Sequence, residues 1–394
     1  MPLELPVADS PRERFRAALL ADPHATRDLF ALREPEEFAA AASSWAVSRG
    51  IAIDAAELAD LPAPALAGHP LGEVPLQPGW PPAGWLPVHF AIEAMAVDWA
   101  YFGEDLLRRP FYADAIIKVR GHQLNRLFPY RTALDVFLAG APADPPAPDG
   151  LIFHMSRCGS TLTAQMLAAC PENRVLSEPA PLDTIVQLPL LIGWPDGATQ
   201  VRLVQAMVAA LAQGRDPAGR LFLKLDSWHT LALPLFRAAF PETPWIYLYR
   251  EPVEVLVSQM RMRGAQTAPG VLPPQLFGIG PEGETLPDAD YIARVLARTS
   301  EAVLQGWGLG GGMLVAYPEL PDAMATRILP HFGVTPDGGM IARMRTAASR
   351  DAKAPNATFQ ADAEAKRREA GEAVLAAATW LDPVHARLEA MRAG

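Results

Sequence analysis

Apolar positions fall into two regimes along this chain. From about residue 150 onward, short apolar runs each lead to a charged residue: Leu151 to Phe153 leads through a small-residue turn to Arg157, Arg174-Val-Leu-Ser to Glu178, Leu221-Phe-Leu to Lys224, and Trp245-Ile-Tyr-Leu-Tyr to Arg250. Runs this short and this apolar, separated by helical periodicity, predict the strands of a parallel sheet flanked by helices. Before residue 140 the pattern changes. Helical stretches are expected over 11–20, 36–48 and 89–107, divided by Pro/Gly-rich turns such as 75–84, so residues 1–138 are expected to form a mainly helical N-terminal domain. Residues 139–150 read as a stiff Pro-rich linker, and residues 151–394 as the α/β domain. Within that domain, 264–288 reads as a long loop that could cover a site, 323–332 as an amphipathic helix, and 367–392 as a terminal packing helix.

The turn after the first of these strands carries the most chemistry. Ser156-Arg-Cys-Gly-Ser-Thr-Leu162 joins a strand to a helix through small residues, and the first N–H groups of a helix have no internal partner and lie at the positive end of its dipole. Gly159 lets backbone approach a ligand, and Ser160 and Thr161 add hydroxyls, so the segment reads as a phosphate-binding loop. It is not the usual NTPase loop: Ser160 follows Gly159 where that motif has Lys, and the cation is Arg157. Arg157, Glu178, Lys224 and Arg250 all fall just past strand ends, the edge at which open parallel sheets bind ligands. Ser258 follows on a helix opened by Glu251-Pro252, a charge and a ring suited to a first turn. Each residue also has an ordinary reading: an Arg as a surface ion-pair partner, a Glu before Pro as a helix start, a Lys at a strand end as solvated.

At these residues the chain resembles the sulfotransferase superfamily, and most closely its tyrosylprotein sulfotransferase pattern, P-R-S-G-T-T-L followed by a helix and a Glu. Ser156-Arg-Cys-Gly-Ser-Thr-Leu162 and Glu178 stand at the family's interval, as do Lys224-Leu-Asp226, Tyr249-Arg-Glu251 and Ser258. Val315-Ala-Tyr-Pro-Glu-Leu320 looks like the family's V-x-Y-E-D-L strand end. The resemblance spans roughly 149–332, with Cys158, Ser160 and Glu251 departing from the usual Ser, Thr and Asp. It implies a P-loop-type fold and transfer of a sulfonate from 3′-phosphoadenosine 5′-phosphosulfate (PAPS) to a hydroxyl. By resemblance Glu178, Lys224 and Arg157 are catalytic, while Arg157, Cys158, Gly159, Ser160, Thr161, Leu162, Arg250, Ser258 and Tyr317 bind the cofactor. The scheme requires no metal. It says nothing of whether the acceptor is a small molecule, glycan or peptide. The alternatives are a P-loop kinase or NTPase of unusual loop sequence, and a non-catalytic nucleotide-binding protein of the same fold.

Composition narrows the partners. With 394 residues, 50% hydrophobic and 20% charged, the chain can bury large cores. A net charge of -10 argues against general nucleic-acid or anionic-membrane binding. No leader-like or membrane-spanning apolar stretch is evident, so a cytoplasmic location is expected. The two cysteines, Cys158 and Cys170, flank a helix and lie too far apart to pair. Cys158, at a positive helix end, is a candidate for thiolate character, although such a Cys is more often just a small loop residue. The eight histidines are scattered, and no metal-ligand spacing stands out. Three further segments attract notice: the aromatic-rich 97–103 and Arg109-Pro-Phe-Tyr112, as core or acceptor pocket; the basic run Lys118, Arg120, His122, Arg126 and Arg131, as a helix face or an acidic-substrate surface; and 347–366 with Arg350, Lys353 and Lys366, expected near the nucleotide.

Overall fold

The computed structural model describes residues 10–59, 61, 74–103, 107, 110–216, 218–349 and 363–394. Internal contacts divide the chain into two units, Met1–Asp105 with Ala113–Pro145 and Ala209–Gly214, and Leu106–Tyr112 with Pro146–Val208 and Arg215–Gly394.

The first unit begins with α1 (Pro11–Leu20), α2 (Pro23–Ala31), α3 (Pro35–Val47) and α4 (Ala55–Ala59). The first three each open on a Pro, whose missing N–H would have had no helical partner. Ser10 and Asp22 accept from the N–H of Glu13 at 3.2 Å and of Ala25 at 3.0 Å. There follow β1 (Leu76–Gln77), β2 (Trp85–Ala91), β3 (Ala96–Tyr101), α5 (Tyr112–Arg120), α6 (Gln123–Leu127), β4 (Tyr130–Ala133) and α7 (Leu134–Gly140), with strand order β1-β4-β3-β2. Helices supply more of the described residues here than strands do. Of the helix expected over 89–107, whose residues 104–106 lie outside the described residues, the part up to Tyr101 is instead the antiparallel hairpin β2–β3, turning at Met95 with φ 44. The reason is burial on both faces: every residue of β3 is buried, so the two-residue alternation that marks a strand is lost from the sequence. Partners in the sheet satisfy its polar atoms. Trp99 donates to Thr132 Oγ1 at 3.0 Å, and Asp98 accepts from Arg131 Nε at 2.6 Å.

The second unit holds a five-stranded, fully parallel sheet of order β6-β7-β5-β8-β9. In chain order its elements are β5 (Gly150–His154), α8 (Ser160–Ala168), β6 (Asn173–Ser177), α9 (Ala180–Ile192), α10 (Gly197–Leu211), β7 (Arg220–Lys224), α11 (Leu233–Ala239), β8 (Trp245–Tyr249), α12 (Pro252–Arg261), α13 (Asp288–Gly306), β9 (Gly312–Ala316), α14 (Leu329–His331), α15 (Gly338–Ala348), α16 (Ala363–Glu369), α17 (Glu372–Ala378) and α18 (Asp382–Ala393). Strands β5 and β8 are buried throughout, as a helix-covered parallel sheet requires. The chain moves to one side of β5 through β6 and β7, then crosses to the other side through β8 and β9. The switch point therefore lies at the carboxyl end of β5.

One expectation in this unit is corrected and another is refined. The terminal helix expected over 367–392 is three helices, α16, α17 and α18, interrupted at Gly371 and again before Asp382-Pro383, where a fixed ring favours a fresh start. The amphipathic helix expected over 323–332 is present, wound as a π-helical turn over Met324–Ile328 that continues into α14, with Met324, Ile328 and Leu329 buried. Pro330 lacks the N–H that an α-helical turn would need at that point. The segment 264–288 contains three short 3₁₀ turns, Ala265–Thr267, Pro274–Phe277 and Pro281–Glu284.

Packing at the β8–β9 edge leaves no spare volume. A Cβ on Gly312 would lie 2.4 Å from Cζ2 of Trp245, whose Nε1 donates to the Gly310 carbonyl at 2.8 Å. Gly312→Ala is expected to destabilise the fold by ~1 to 3 kcal/mol. Urea denaturation of the two proteins measures it.

Candidate active site

The loop after β5 is built from backbone that side-chain-bearing residues rarely adopt. Ser156 has φ 74 and Arg157 φ 54, followed by Gly159 with φ 89. Glu178, just past β6, has φ 53 although it precedes Pro179, itself a disfavoured place for such backbone. Among the described residues only five non-glycine positions have positive φ, and three of them are these. Strain of about 1 to 3 kcal/mol per residue is thereby concentrated at the carboxyl ends of β5 and β6.

The loop's shape makes an anion cradle. Gly159 caps α8 without a side chain, so the first N–H groups of the helix have no side-chain cap, and Ser160 and Thr161 are buried in its first turn. A Cβ on Gly159 would lie 2.9 Å from both Leu320 Cδ1 and Tyr317 Cδ2. Tyr317, directly after β9, is thereby brought against the loop. Its ring also carries the guanidinium of Arg250, with Cζ 3.9 Å from the ring centroid. Arg250 is buried and donates through Nε to Glu254 Oε2 at 2.8 Å, one turn along α12. Glu254 binds Arg367 of α16 as well, at 2.8 Å. Ser258, one turn further, accepts from Arg157 Nε at 3.1 Å. Of the expected cofactor residues, Gly159, Tyr317 and Arg250 are thus joined in one set of contacts and Arg157 with Ser258 in another. Leu162 and Ser160 are buried in the first turn of α8.

Of its two readings, Cys158 takes that of a small loop residue. Its side chain is fully buried and its Sγ donates to the Leu248 carbonyl at 3.1 Å. Burial pushes the thiol up to about 11, so the expected thiolate character is absent and only its backbone faces the loop. Cys170 is likewise a free thiol.

The chemistry-bearing pair stands on the other side of the switch point. Residues Ser177 of β6 and Lys224 of β7 are register partners, and the Glu178 N–H donates to the Lys224 carbonyl at 2.7 Å. From there the Lys224 ammonium, only 1% exposed, donates to Glu178 Oε1, while the Glu178 side chain retains 26% exposure. Burial alone would raise the Glu178 carboxyl. The Lys224 charge and His154 overcome it and hold the group well below the ordinary carboxylate range. Phe111 lies over the ammonium, 5.2 Å from ring centroid to Nζ.

Sequence reasoning missed several of these groups. His154 reads as one more residue of a buried strand, Glu254 as a helix-surface carboxylate, and Phe111 was noticed only as part of an aromatic segment. Beyond Lys224 lies a further cluster: Asp183 Oδ1 accepts from His229 Nε2 at 2.9 Å and from Trp228 Nε1 at 3.0 Å. Burial raises the neighbouring Asp226 to about 7, and its Oδ2 has no hydrogen-bond partner. Among the described residues, Asp183, Asp226 and His229 are the group able to hold a metal ion, with one ligand atom of each within 4.8 Å of the others.

The other expected segments disperse. Of the basic run, His122 is buried and caps α6, Arg131 pairs with Asp98, Arg126 donates to the Leu61 carbonyl, and Lys118 lines a cavity of about 390 Å³ with Arg27, Arg33, Phe30 and Phe102. Trp99, Tyr101 and Phe102 are core residues, and Arg109 lies outside the described residues. Arg350 and Lys353 also lie outside them, whereas Lys366 is buried on α16. No described helix is long and apolar enough to cross a membrane.

No protein-family model and no curated protein matches the chain. Among solved structures it is similar to a sulfotransferase domain from the curacin biosynthetic pathway, with 16% identity over 61% of this chain and 99% of that one and a TM-score of 0.40. It is also similar to the sulfotransferase STF9 from Mycobacterium avium, at 14% identity over 59% and 76% of the two chains with a TM-score of 0.36. A third similar structure is the sulfotransferase domain of the Synechococcus PCC 7002 olefin synthase, at 17% identity over 60% and 96% with a TM-score of 0.36. At this degree of likeness the strand order and the side chains above, not the neighbours, define the site.

Proposed function

We propose that the protein is a PAPS-dependent sulfotransferase acting on a hydroxyl acceptor. The observation that carries this reading is the hydrogen-bonded Lys224–Glu178 pair at the same sheet edge as a strained anion cradle whose cations are arginines. The donor set suits a nucleotide with two separate anionic ends. The N–H groups of the loop and Arg157 would hold the phosphosulfate end. Arg250 and Ser258 would hold the 3′-phosphate, with the Tyr317 ring fixing the guanidinium from beneath. PAPS supplies a sulfonate joined to a phosphate leaving group.

The side chains divide the rest. Glu178 takes the proton of the acceptor hydroxyl as the new S–O bond forms. Lys224 donates to the bridging oxygen as the old S–O bond breaks, and Arg157 stabilises charge on the transferring group. While Lys224 is bound to Glu178 the carboxylate is a weak base. Turning the ammonium toward the leaving phosphate removes that restraint, so base strength rises at the moment it is needed.

Calorimetric titration with 3′-phosphoadenosine 5′-phosphate (PAP), and separately with ATP plus Mg²⁺, tests the reading. Metal-free micromolar binding of PAP, with much weaker binding of ATP, is the expected result. The Asp183–Asp226–His229 group favours a second reading, a metal-dependent phosphotransferase, and Mg²⁺-dependent preference for ATP would establish it in place of the first. Gly159→Ala, which must hold φ near 89 against Tyr317 and Leu320, is expected to weaken PAP binding by about tenfold or more in the same titration.

A further inference from the structure

The geometry points to His154 as a positioning residue that fastens the catalytic carboxylate and the phosphate-binding loop to one imidazole, an inference that rests on the role proposed for Glu178. His154 ends β5 and is buried. Its Nδ1 accepts the backbone N–H of Ser156 at 3.0 Å, at the first of the positive-φ residues of the loop. An acceptor Nδ1 carries no proton, so the hydrogen is on Nε2. Nε2 lies 2.9 Å from the Leu225 carbonyl, immediately after Lys224, and 3.5 Å from Glu178 Oε1.

One ring therefore touches the three parts that must keep register: the start of the cradle, the strand end bearing the acid, and the base. The ring is uncharged at neutral pH, because burial, and then the nearby Lys224 charge, depress it to about 4. A neutral Nε2–H is the useful form. Its one proton lies toward the Leu225 carbonyl, with Glu178 Oε1 as a longer second acceptor, and it brings no full charge that would cripple a base.

The arrangement also accounts for what holds Glu178 once Lys224 turns away. Besides Lys224 on β7, the groups facing the carboxylate are His154 on β5 and, further off, the Asp226 carboxyl, which repels it. His154 is then the remaining donor, and its longer contact to Oε1 is of the kind that shortens when the reacting complex assembles.

Two substitutions separate the two bonds of the ring. His154→Asn places an acceptor where Nδ1 stands and removes the Nε2 donor. His154→Gln places a donor near Nε2 and removes the Nδ1 acceptor. In the Asn variant PAP affinity should stay within about twofold, sulfonate transfer should fall about tenfold to a hundredfold, and the Glu178 titration should move to higher pH. That titration is read by carboxyl ¹³C NMR, assigned with a Glu178→Gln control. In the Gln variant PAP should bind about tenfold more weakly while the Glu178 titration stays in place. An unmoved Glu178 titration in the Asn variant overturns the inference. So does equal loss of PAP affinity and of melting temperature in both variants, which would make the ring only a filler of the core. The NMR titration needs no activity, so a wild-type protein that fails to bind PAP would count against the sulfotransferase reading alone.

Discussion

Glu178→Gln is expected to lower the rate of sulfonate transfer by about a hundredfold to ten-thousandfold while leaving PAP affinity within about twofold. Gln keeps the shape of the side chain and an oxygen to receive Lys224, but it cannot take a proton. Single-turnover sulfation with saturating PAPS reads the chemical step, and calorimetry reads the affinity. An unchanged rate would remove Glu178 as the base. The same substitution alters stability in a direction fixed by the Lys224 pair. The folded carboxyl sits below its ordinary range, so its contribution is present above the unfolded value of ~4.3 and is lost as pH falls toward the folded value. In the Gln variant the buried ammonium also has no counter-charge. Urea denaturation should therefore show the variant less stable than wild type at pH 7, with the gap narrowing as the pH falls below about 4.

Arg250→Ala is expected to weaken PAP binding by about a hundredfold or more and to cost the fold ~3 to 5 kcal/mol. Both effects have the same origin. Arg250 is the buried partner of Glu254, which is itself only 3% exposed, and its guanidinium is fixed over the Tyr317 ring. Removing it leaves the buried Glu254 carboxylate to Arg367, whose side chain is 59% exposed and screened by water. A double variant with Glu254→Gln separates the two consequences. Much of the lost stability should return, because the unpaired charge is gone, while PAP binding stays lost. Recovery of PAP binding in the double variant, or wild-type affinity in the single one, would show that Arg250 holds the fold and not the nucleotide.

The amino-acid sequence by itself determined the local parts of this site. Apolar runs ending at His154, Ser177, Lys224, Tyr249 and Ala316 are strands in the structure. A parallel sheet brings their carboxyl ends to one edge, so Arg157, Glu178, Lys224 and Arg250 are legible as a common edge from their places after strands, whereas Tyr317 follows from the family resemblance. The Glu251-Pro252 start of α12 was legible for the same reason, since capping is a matter of neighbours in sequence. Where burial covers both faces, the local signal fails. The hairpin β2–β3 read as a helix because its apolar run is continuous, and the terminal segment read as one helix although it breaks at Gly371 and Asp382.

Only the tertiary structure decided which groups meet and in what charge state. Strand order β6-β7-β5-β8-β9 sets Lys224 beside Glu178 and puts β5, with His154, between β7 and β8. Nothing in the sequence distinguishes His154 from any polar residue at the end of a buried strand, or Glu254 from an exposed helix carboxylate. Their settings come from partners 71 residues away, at Leu225, and in another helix, at Arg367. The same holds for Cys158, whose helix-end position allows either a thiolate or a plain small residue, a choice made by burial against β8, which keeps the proton on. Helix starts and strand ends follow from interactions between near neighbours in the chain. Ionisation and catalytic orientation follow from desolvation and from contacts across the sheet, and these exist only once the strands have been ordered.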